Sequence, residues 1–391
     1  MSDKADQAPR TFVPLSEYRV PPLPADKTLE DLWRRLRKWF DREDDAGPTV
    51  EAEMLDRAAT EDLDAIAAPP ACQPVLDELD ATYAPWRRAR GGAGRVQVVV
   101  LPPCDGDGVV HAWAVQHGID ILPPPERERL MGDAPPDAPD LSGGGHLVIP
   151  DLSRWFLRHE GCLQALRALM DAILTSDRRI MVGCNSWTWA YLAKAVDAAQ
   201  ILPRPYTFQA FDADRLRSWF ADLSAEVRGE GMSFRLARDG TPLFEEEAED
   251  GKAQDFFVTL AARSLGIPWI AWHIWRDAVS ALHPDEEESD RPVPEVHDDE
   301  TYWISPSSAP DLPQGSTREA LLVCQALLIH GSLTPRTLAA VLPLTGPLGT
   351  IPTLIDSGIV QSRDGAFSIR PQAYPGLRNG LANAGFPLDM G

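Results

Sequence analysis

A turn rich in glycine and aspartate follows an apolar run near position 100. Residues 96–101 read Val-Gln-Val-Val-Val-Leu, and Asp105, Gly106, Asp107 and Gly108 come next, ahead of a short helical stretch. An apolar strand, a glycine turn and a helix in this order form the setting in which backbone amides cradle phosphate. Overlaid on G-x-x-x-x-G-K-[ST], Gly106 is the second glycine, whereas Asp107 takes the lysine position and Gly108 the hydroxyl position. The spacing predicts a phosphate loop with charges of the wrong sign.

The charge of this turn can be weighed against a bound triphosphate. At about 4 Å and an effective dielectric near 20, each like-charge pair with Asp105 or Asp107 costs about 4 kcal/mol. A backbone hydrogen bond returns only about 1 kcal/mol. We therefore expect no cofactor and assign no catalytic residue and no metal site. ATP held in a non-standard pose is the alternative.

Composition limits the classes of partner. The net charge of −22 over 391 residues argues against a general binder of nucleic acid or anionic membrane. The five cysteines are scattered and form no C-x-x-C pair, which favours a reducing compartment over a disulfide framework or a zinc site. The chain has neither an apolar leader nor a run of about 18–20 apolar residues. We expect a soluble, cytoplasmic protein.

Strand and helix patterns alternate from residue 91 onward, which predicts an α/β fold with a parallel sheet. The predicted strands are 96–101, 118–122, 146–150, 179–183 and 206–210. The chain divides into a disordered N-terminus (1–27), an N-terminal helical region (28–90), an α/β core (91–223), a hairpin insertion with a helical lid (224–283), an acidic linker (284–316) and a winged-helix domain (317–391). The predicted lid is helical over 253–282 apart from a break at 266–268, and the linker holds one extended piece, 301–305.

The region 28–45 predicts a helix with one broad apolar face that includes Trp33 and Trp39. Six basic and six acidic residues lie between Lys27 and Asp45, so its charges balance. This balance favours packing within the chain or on a protein partner. Peripheral contact with a membrane surface is the alternative.

The last segment predicts three helices, 317–329, 334–342 and 348–357, followed by a ribbon that turns at Asp364-Gly365. This order is typical of a winged helix. The presumed recognition helix, 348–357, contains no Lys or Arg, although base readout and phosphate anchoring both need such donors. We therefore expect protein contacts here and no DNA binding.

The order of these elements over about residues 91–391 resembles the STAND and related AAA+ branch of P-loop ATPases. The resemblance implies a P-loop NTPase-like core, a helical lid and a C-terminal winged helix. It places Gly106 in the phosphate loop and Asp151 after the strand whose acids bind Mg²⁺ and activate the attacking water. It places Asn185 at the polar sensor of the γ-phosphate. Gly266 and Pro268 then match the Gly-x-Pro motif near the adenine. Only one acid follows the third strand, where the family has two.

Each match also has a structural interpretation. Asn185 can cap the following helix, Asp151 can cap the next segment or pair with Arg154, and Gly266-Ile267-Pro268 can be an ordinary helix break. Both interpretations stay open at this level.

The preferred function is therefore a non-catalytic, ATPase-like scaffold or regulatory protein that mediates protein–protein interaction or assembly. The first alternative is a STAND/AAA+ ATPase or nucleotide-dependent switch with non-standard ATP binding. A winged-helix transcription regulator is a weaker alternative.

Overall fold

The chain folds into two compact units. The core unit comprises Met1–Arg19, Ala71–Gln209 and Pro310–Gly391, and the second unit comprises Val20–Pro70 and Ala210–Ala309. The computed structural model describes residues 10–21, 55–57, 72–89, 94–106, 108–132, 138–227, 233–237, 239–244, 252–282, 301–305, 318–343 and 349–389. Asp107 and the helix predicted at 28–45 lie outside these residues.

Strands and helices alternate through most of the described residues. The strands are β1 (Val13–Pro14), β2 (Leu55–Arg57), β3 (Val96–Leu101), β4 (Asp120–Ile121), β5 (His146–Ile149), β6 (Arg179–Asn185), β7 (Tyr206–Thr207), β8 (Ser233–Leu236), β9 (Val279–Leu282), β10 (Thr301–Ile304), β11 (Ser332–Leu333), β12 (Val360–Arg363) and β13 (Ala366–Ile369). The α-helices are α1 (Gln73–Arg88), α2 (Val109–Gln116), α3 (Gln164–Thr175), α4 (Ser186–Ala195), α5 (Ala198–Ile201), α6 (Ala213–Val227), α7 (Lys252–Arg263), α8 (Pro268–Ala278), α9 (Arg318–His330), α10 (Pro335–Val341), α11 (Ile351–Asp356) and α12 (Tyr374–Asn383). None of these helices is both long and apolar enough to cross a bilayer.

The core unit is built on a six-stranded sheet in the order β1-β7-β3-β6-β5-β4. The strands from β3 to β7 pair in parallel, and β1 is an antiparallel edge strand. The last four residues of β3 and most of β6 are buried, as expected for strands covered on both faces. The predicted α/β class with a parallel core sheet is confirmed.

The connections of this sheet reverse direction once along the strand order. The chain passes from β3 beyond β6 and β5 to β4, then returns strand by strand and crosses β3 to reach β7. Because parallel crossovers are right-handed, this reversal puts α2 and the later helices on opposite faces. The reversal lies between β3 and β6, and the carboxyl ends of such a strand pair are the usual place for a ligand in a parallel sheet. Gly183 permits the tight packing of β6, since an added Cβ would lie 2.0 Å from the Pro150 carbonyl oxygen.

Residues 10–21 of the N-terminal segment are ordered. This corrects the expectation of disorder over 1–27 for these residues. Val13–Pro14 pairs with β7, and the Phe12 and Tyr18 side chains are buried. Both rings make edge-on contacts with Phe208, at centroid distances of 6.5 and 5.9 Å. The two aromatic side chains supply enough apolar area to order a Pro-rich segment. Pro14 fits because an edge strand tolerates a missing N–H.

The second unit contains a four-stranded sheet in the order β2-β9-β10-β8. It corrects two expectations: β2 lies in a region predicted as helical, and β9 lies at the end of the predicted lid helix. β10 coincides with the extended piece predicted at 301–305. β10 pairs in parallel with β8 and antiparallel with β9. Trp303 and Ile304 of β10 are buried, so packing across the sheet decides these assignments. The predicted hairpin is present as a bridge between Arg235 and Pro242.

Residues 318–389, called the C-terminal segment below, belong to the core unit. Three helices, α9 to α11, precede the antiparallel pair β12–β13, which turns at Asp364 and Gly365 with φ of +51° and +75°. These elements follow the order predicted from the sequence. Two further elements, β11 and α12, were not predicted, and β11 pairs with β13 to complete a three-stranded sheet.

Candidate functional site

The turn after β3 places a carboxylate on the first amides of α2. Asp105 accepts hydrogen bonds from the Gly108 amide at 3.1 Å and the Val109 amide at 2.8 Å. Gly108 precedes the helix with φ of +64°, a conformation that favours glycine. A helix N-terminus attracts anions through these amides and the helix dipole. Here the anion is a side chain of the same turn.

Gly106 and Cys104 border this carboxylate. Gly106 is exposed, and an added Cβ would meet nothing within 4 Å, so no close approach demands glycine there. The Cys104 thiol lies 3.9 Å from the Ile369 carbonyl oxygen of β13. Burial and the neighbouring Asp105 raise the pKa of Cys104 to about 12. The thiol therefore stays protonated at neutral pH and faces the C-terminal segment.

Asp151 follows β5 and caps a 3-10 helix, Leu152–Trp155. One carboxylate oxygen accepts from the Ser153 amide at 2.8 Å, and the other accepts from the Ser153 hydroxyl at 2.6 Å. The carboxylate is half-buried. Both of its oxygens are thus engaged by the residue two positions along the chain.

Asn185 ends β6 and caps α4. Its side-chain oxygen accepts from the Thr188 amide at 2.8 Å. Asn185 also pairs in register with Leu101, the last residue of β3. The carboxyl edge of the sheet therefore holds Gly106, Asp151 and Asn185, at the ends of neighbouring parallel strands. The side chains of Asp151 and Asn185 each cap the helix that follows them.

Gly266 and Pro268 belong to the second unit, where they separate α7 from α8. Gly266 has φ of +70° and donates its amide to the Ala261 carbonyl at 2.8 Å, closing the end of α7. An added Cβ would lie 2.7 Å from the Ala210 Cβ and 2.9 Å from Pro21. Pro268 is buried at the first turn of α8, a position that proline tolerates. The motif forms a helix break within this unit.

The C-terminal segment packs on the carboxyl edge, and sequence reasoning missed the residues that hold it. The Thr188 hydroxyl donates to the Ile329 carbonyl. The Arg127 guanidinium donates to the carbonyls of His330, at 2.6 Å, and of Ser332. The same guanidinium donates to the Ser153 carbonyl at 3.3 Å. Arg127 therefore connects the end of α9 to Ser153, the residue that bonds to Asp151.

His330 lies at the centre of this contact and is almost fully buried. Its Nε2 accepts from the Arg158 amide at 3.3 Å, and its ring lies 4.9 Å from that of Phe156. Burial first, and then the charges of Arg127 and Arg158, lower the pKa of His330 well below its usual value. The ring is therefore neutral at pH 7 and carries its proton on Nδ1.

A second buried contact surrounds Asp389. Its carboxylate accepts from the Ser186 hydroxyl at 2.6 Å, the Tyr374 hydroxyl at 2.9 Å and the Arg378 Nε at 3.0 Å. The Trp187 indole donates to the Tyr374 hydroxyl at 3.1 Å. Burial and the Asp389 charge raise the pKa of Tyr374, so its hydroxyl keeps the proton that it donates. This cluster joins the start of α4 to α12.

A weak signal for α12 existed in the sequence. Tyr374, Leu377 and Leu381 recur at helical spacing and are buried. The pairing of Asp389 with Ser186 spans 203 residues, and no local pattern indicates it. Within the described residues no group of three His, Cys, Asp or Glu side chains is placed to hold a metal ion.

Comparisons with known proteins return little. No protein-family model matches the chain. No curated protein matches it either. Among solved structures, Cdc6p from Pyrobaculum aerophilum is similar at 12% identity and a TM-score of 0.30, over 82% of this chain and 96% of that one. The ORC2 protein from Aeropyrum pernix, as ADPNP–ADP complexes, is similar at 11% identity and a TM-score of 0.23, over 89% of this chain and 98% of that one. The overlaps are loose, so the fold class rests on the strand order and pairing given above.

Proposed function

We propose that this protein is a non-catalytic, ATPase-like scaffold or regulatory protein that works by binding other proteins. One observation supports this proposal most: the Asp105 carboxylate accepts the Gly108 and Val109 amides at the start of α2. These are the amides that a bound phosphate would use. The chain supplies its own anion at the position where a nucleotide enzyme binds its substrate.

The energetics of this arrangement oppose a triphosphate. A phosphate that approaches α2 competes with Asp105 for the two amides and also faces its charge. At about 4 Å and an effective dielectric near 20, one such pair costs about 4 kcal/mol. Two amide hydrogen bonds return about 1 kcal/mol each. Phosphoryl transfer needs positioning and charge stabilisation together, and this turn favours neither.

The contacts of the C-terminal segment support the same proposal. Ile369 contacts the turn at Cys104, Ile329 accepts from Thr188, and Arg127 anchors the end of α9 beside Ser153. An edge that is covered by folded protein suits a scaffold better than an enzyme that must admit and release nucleotide.

Protein partners fit the charges better than DNA does. The helix α11 carries no Lys or Arg, so it offers no cationic donor for base edges or phosphates. The net charge of −22 also disfavours approach to DNA. The five cysteines are free thiols, which suits the reducing cytoplasm in which we place the protein.

Isothermal titration calorimetry with Mg-ATP and Mg-ADP tests the proposal. We expect no saturable heat below about millimolar nucleotide, and no release of phosphate. The matched pair of variants is Asp105→Asn, which removes the charge at the amides, and Asp171→Asn, which removes a charge from an exposed position on α3. Micromolar binding by the wild-type protein with Mg²⁺-dependent turnover would overturn the scaffold and favour the nucleotide-dependent switch.

A further inference from the structure

We infer that residues Phe386–Asp389 form a latch that holds the C-terminal segment on the carboxyl edge of the core sheet. Withdrawing Asp389 from its pocket releases the segment and opens the edge to a protein partner. This inference deepens the proposed function and rests on it for the nature of the partner.

The pocket for the Asp389 carboxylate is formed by α4 and α12. Tyr18 of the N-terminal segment lies close to it, since burial first and then the Asp389 charge raise the pKa of the Tyr18 hydroxyl. Ser186 comes from the first turn of α4, and Tyr374 and Arg378 come from α12. The Asp389 side chain is fully buried, and the Arg378 side chain is 19% exposed. One carboxylate therefore ties the start of α4 to the last helix of the chain.

The position of Asp389 at α4 is electrostatically favourable. The carboxylate receives the hydroxyl of the first residue of α4, at the positive end of the helix dipole. The Tyr374 hydroxyl, the Arg378 Nε and the Ser186 hydroxyl occupy three acceptor sites on its two oxygens. A buried carboxylate is stable only with partners of this kind.

The rest of the latch is held weakly, which makes it separable from the fold. The end of α12 is closed by Gly385, with φ of +75°, and by the Phe386 amide, which donates to the Leu381 carbonyl at 2.9 Å. Every residue from 382 to 388 is exposed or half-exposed, and only Asp389 is buried. No helix or strand follows Asn383 in the described residues. Besides Asp389, the tail contacts α9 through the Phe386 ring, whose centroid lies 6.0 Å from the Arg318 guanidinium, a weak cation–π contact.

The closed latch also keeps aromatic surface out of water. Trp187 is 2% exposed and donates to Tyr374, which is fully buried. Release of α12 would expose both side chains at the carboxyl edge. Aromatic side chains of this kind are enriched at the centres of protein interfaces, so the released edge fits a protein partner that has an apolar surface.

A substituted chain and a shortened chain test the latch by hydrogen–deuterium exchange. Asp389→Asn removes the charge, and a chain ending at Gly385 removes the tail. We expect amide exchange in α9 and in the first turns of α4 and α12 to rise at least tenfold in both, with exchange in β3 and β6 unchanged. Asp356→Asn is the matched control, because Asp356 is exposed on α11 of the same segment. We expect it to match the wild-type protein.

A synthetic peptide with the sequence of residues 386–391 completes the test. Added in excess to the shortened chain, it should restore the slow exchange, whereas the same peptide with Asn in place of Asp389 should not. Unchanged exchange in Asp389→Asn would overturn the latch. An equal rise throughout β3 and β6 would also overturn it, since the carboxylate would then support the whole unit.

The latch and the proposed function fail in distinguishable ways. Micromolar Mg-ATP binding by the wild-type protein overturns the scaffold proposal, whatever the exchange data show. Unchanged exchange in the Asp389→Asn protein overturns the latch, whatever the calorimetry shows.

Discussion

Two aspartates accept hydrogen bonds at the starts of two helices at the carboxyl edge of the core sheet. One of them is close in sequence to its helix, and the other is remote. Asp105 is half-buried and accepts amides three and four residues further along the chain. Asp389 is buried and accepts the hydroxyl of Ser186, 203 residues away. The first contact is a local cap that a short segment can make. The second exists only when the C-terminal segment has docked, so it reports on that docking.

The largest expected effect comes from breaking the remote contact at Arg378. Arg378→Leu leaves the buried Asp389 carboxylate without its cation, and removal of one member of a buried ion pair costs about 3–5 kcal/mol. Because Arg378 is 19% exposed, we expect a loss of about 3 kcal/mol in the free energy of unfolding, measured in urea. Arg336→Leu, at an exposed position on α10, is the control and should change it by less than about 0.5 kcal/mol.

The double variant sharpens this result. Asp389→Asn added to Arg378→Leu should cost less than the sum of the single changes, because the charge that lost its partner is gone. Additive losses would contradict a direct pairing between these two side chains.

A smaller effect is expected from acid at His330. Its pKa is lowered in the folded protein, so below pH 6.5 the unfolded chain binds a proton that the folded chain does not. Stability is therefore full above about pH 6.5 and falls by about 1.4 kcal/mol per pH unit below it, until the folded ring itself protonates. From pH 7 towards pH 5 we therefore expect this group to lower the stability of the folded protein, seen as a lower urea midpoint.

The control for this titration is a second histidine. His330→Gln should flatten the pH dependence of the urea midpoint between pH 7 and pH 5. His111→Gln, at an exposed position on α2, should leave it unchanged. An identical pH dependence in His330→Gln would show that other groups carry it.

The smallest effect is expected at the local contact. Asp105→Ala removes a cap from the start of α2, and loss of such a cap costs about 1 kcal/mol. Thermal unfolding followed by circular dichroism measures this change, with Asp171→Asn as the control. A loss above about 3 kcal/mol would show that Asp105 also depends on remote contacts, and the contrast with Asp389 would disappear.

Several parts of the fold were predictable because short segments determine them. The apolar run at 96–101 predicted β3, since a strand buried on both faces has few polar residues. Asp364-Gly365 predicted the turn between β12 and β13, because both positions need φ above zero. Asn185 was recognised as a possible cap from its place before Ser186. Gly266 and Pro268 were likewise recognised as a possible helix break.

Other parts were not predictable from local patterns. β9 falls at the end of a predicted helix. The extended piece predicted at 301–305 is β10, but no local pattern indicates that β10 pairs with β8 or that β9 pairs with β2. Residues 10–21 looked too Pro-rich to fold, and their order comes from contacts with β7 and Phe208. For β9 and for residues 10–21, packing with a remote segment outweighed the local preference.

By itself the sequence determined the class of the core, the turn with carboxylates in place of a lysine, and the order of the C-terminal helices and ribbon. These features depend on composition and spacing over a few residues, which local sterics and hydrogen bonding decide. Only the tertiary structure decided that Asp105 accepts the α2 amides, that the C-terminal segment covers the carboxyl edge, and that Asp389 holds it there. Such contacts depend on side chains brought together across the chain, where burial gives a single charge its large effect.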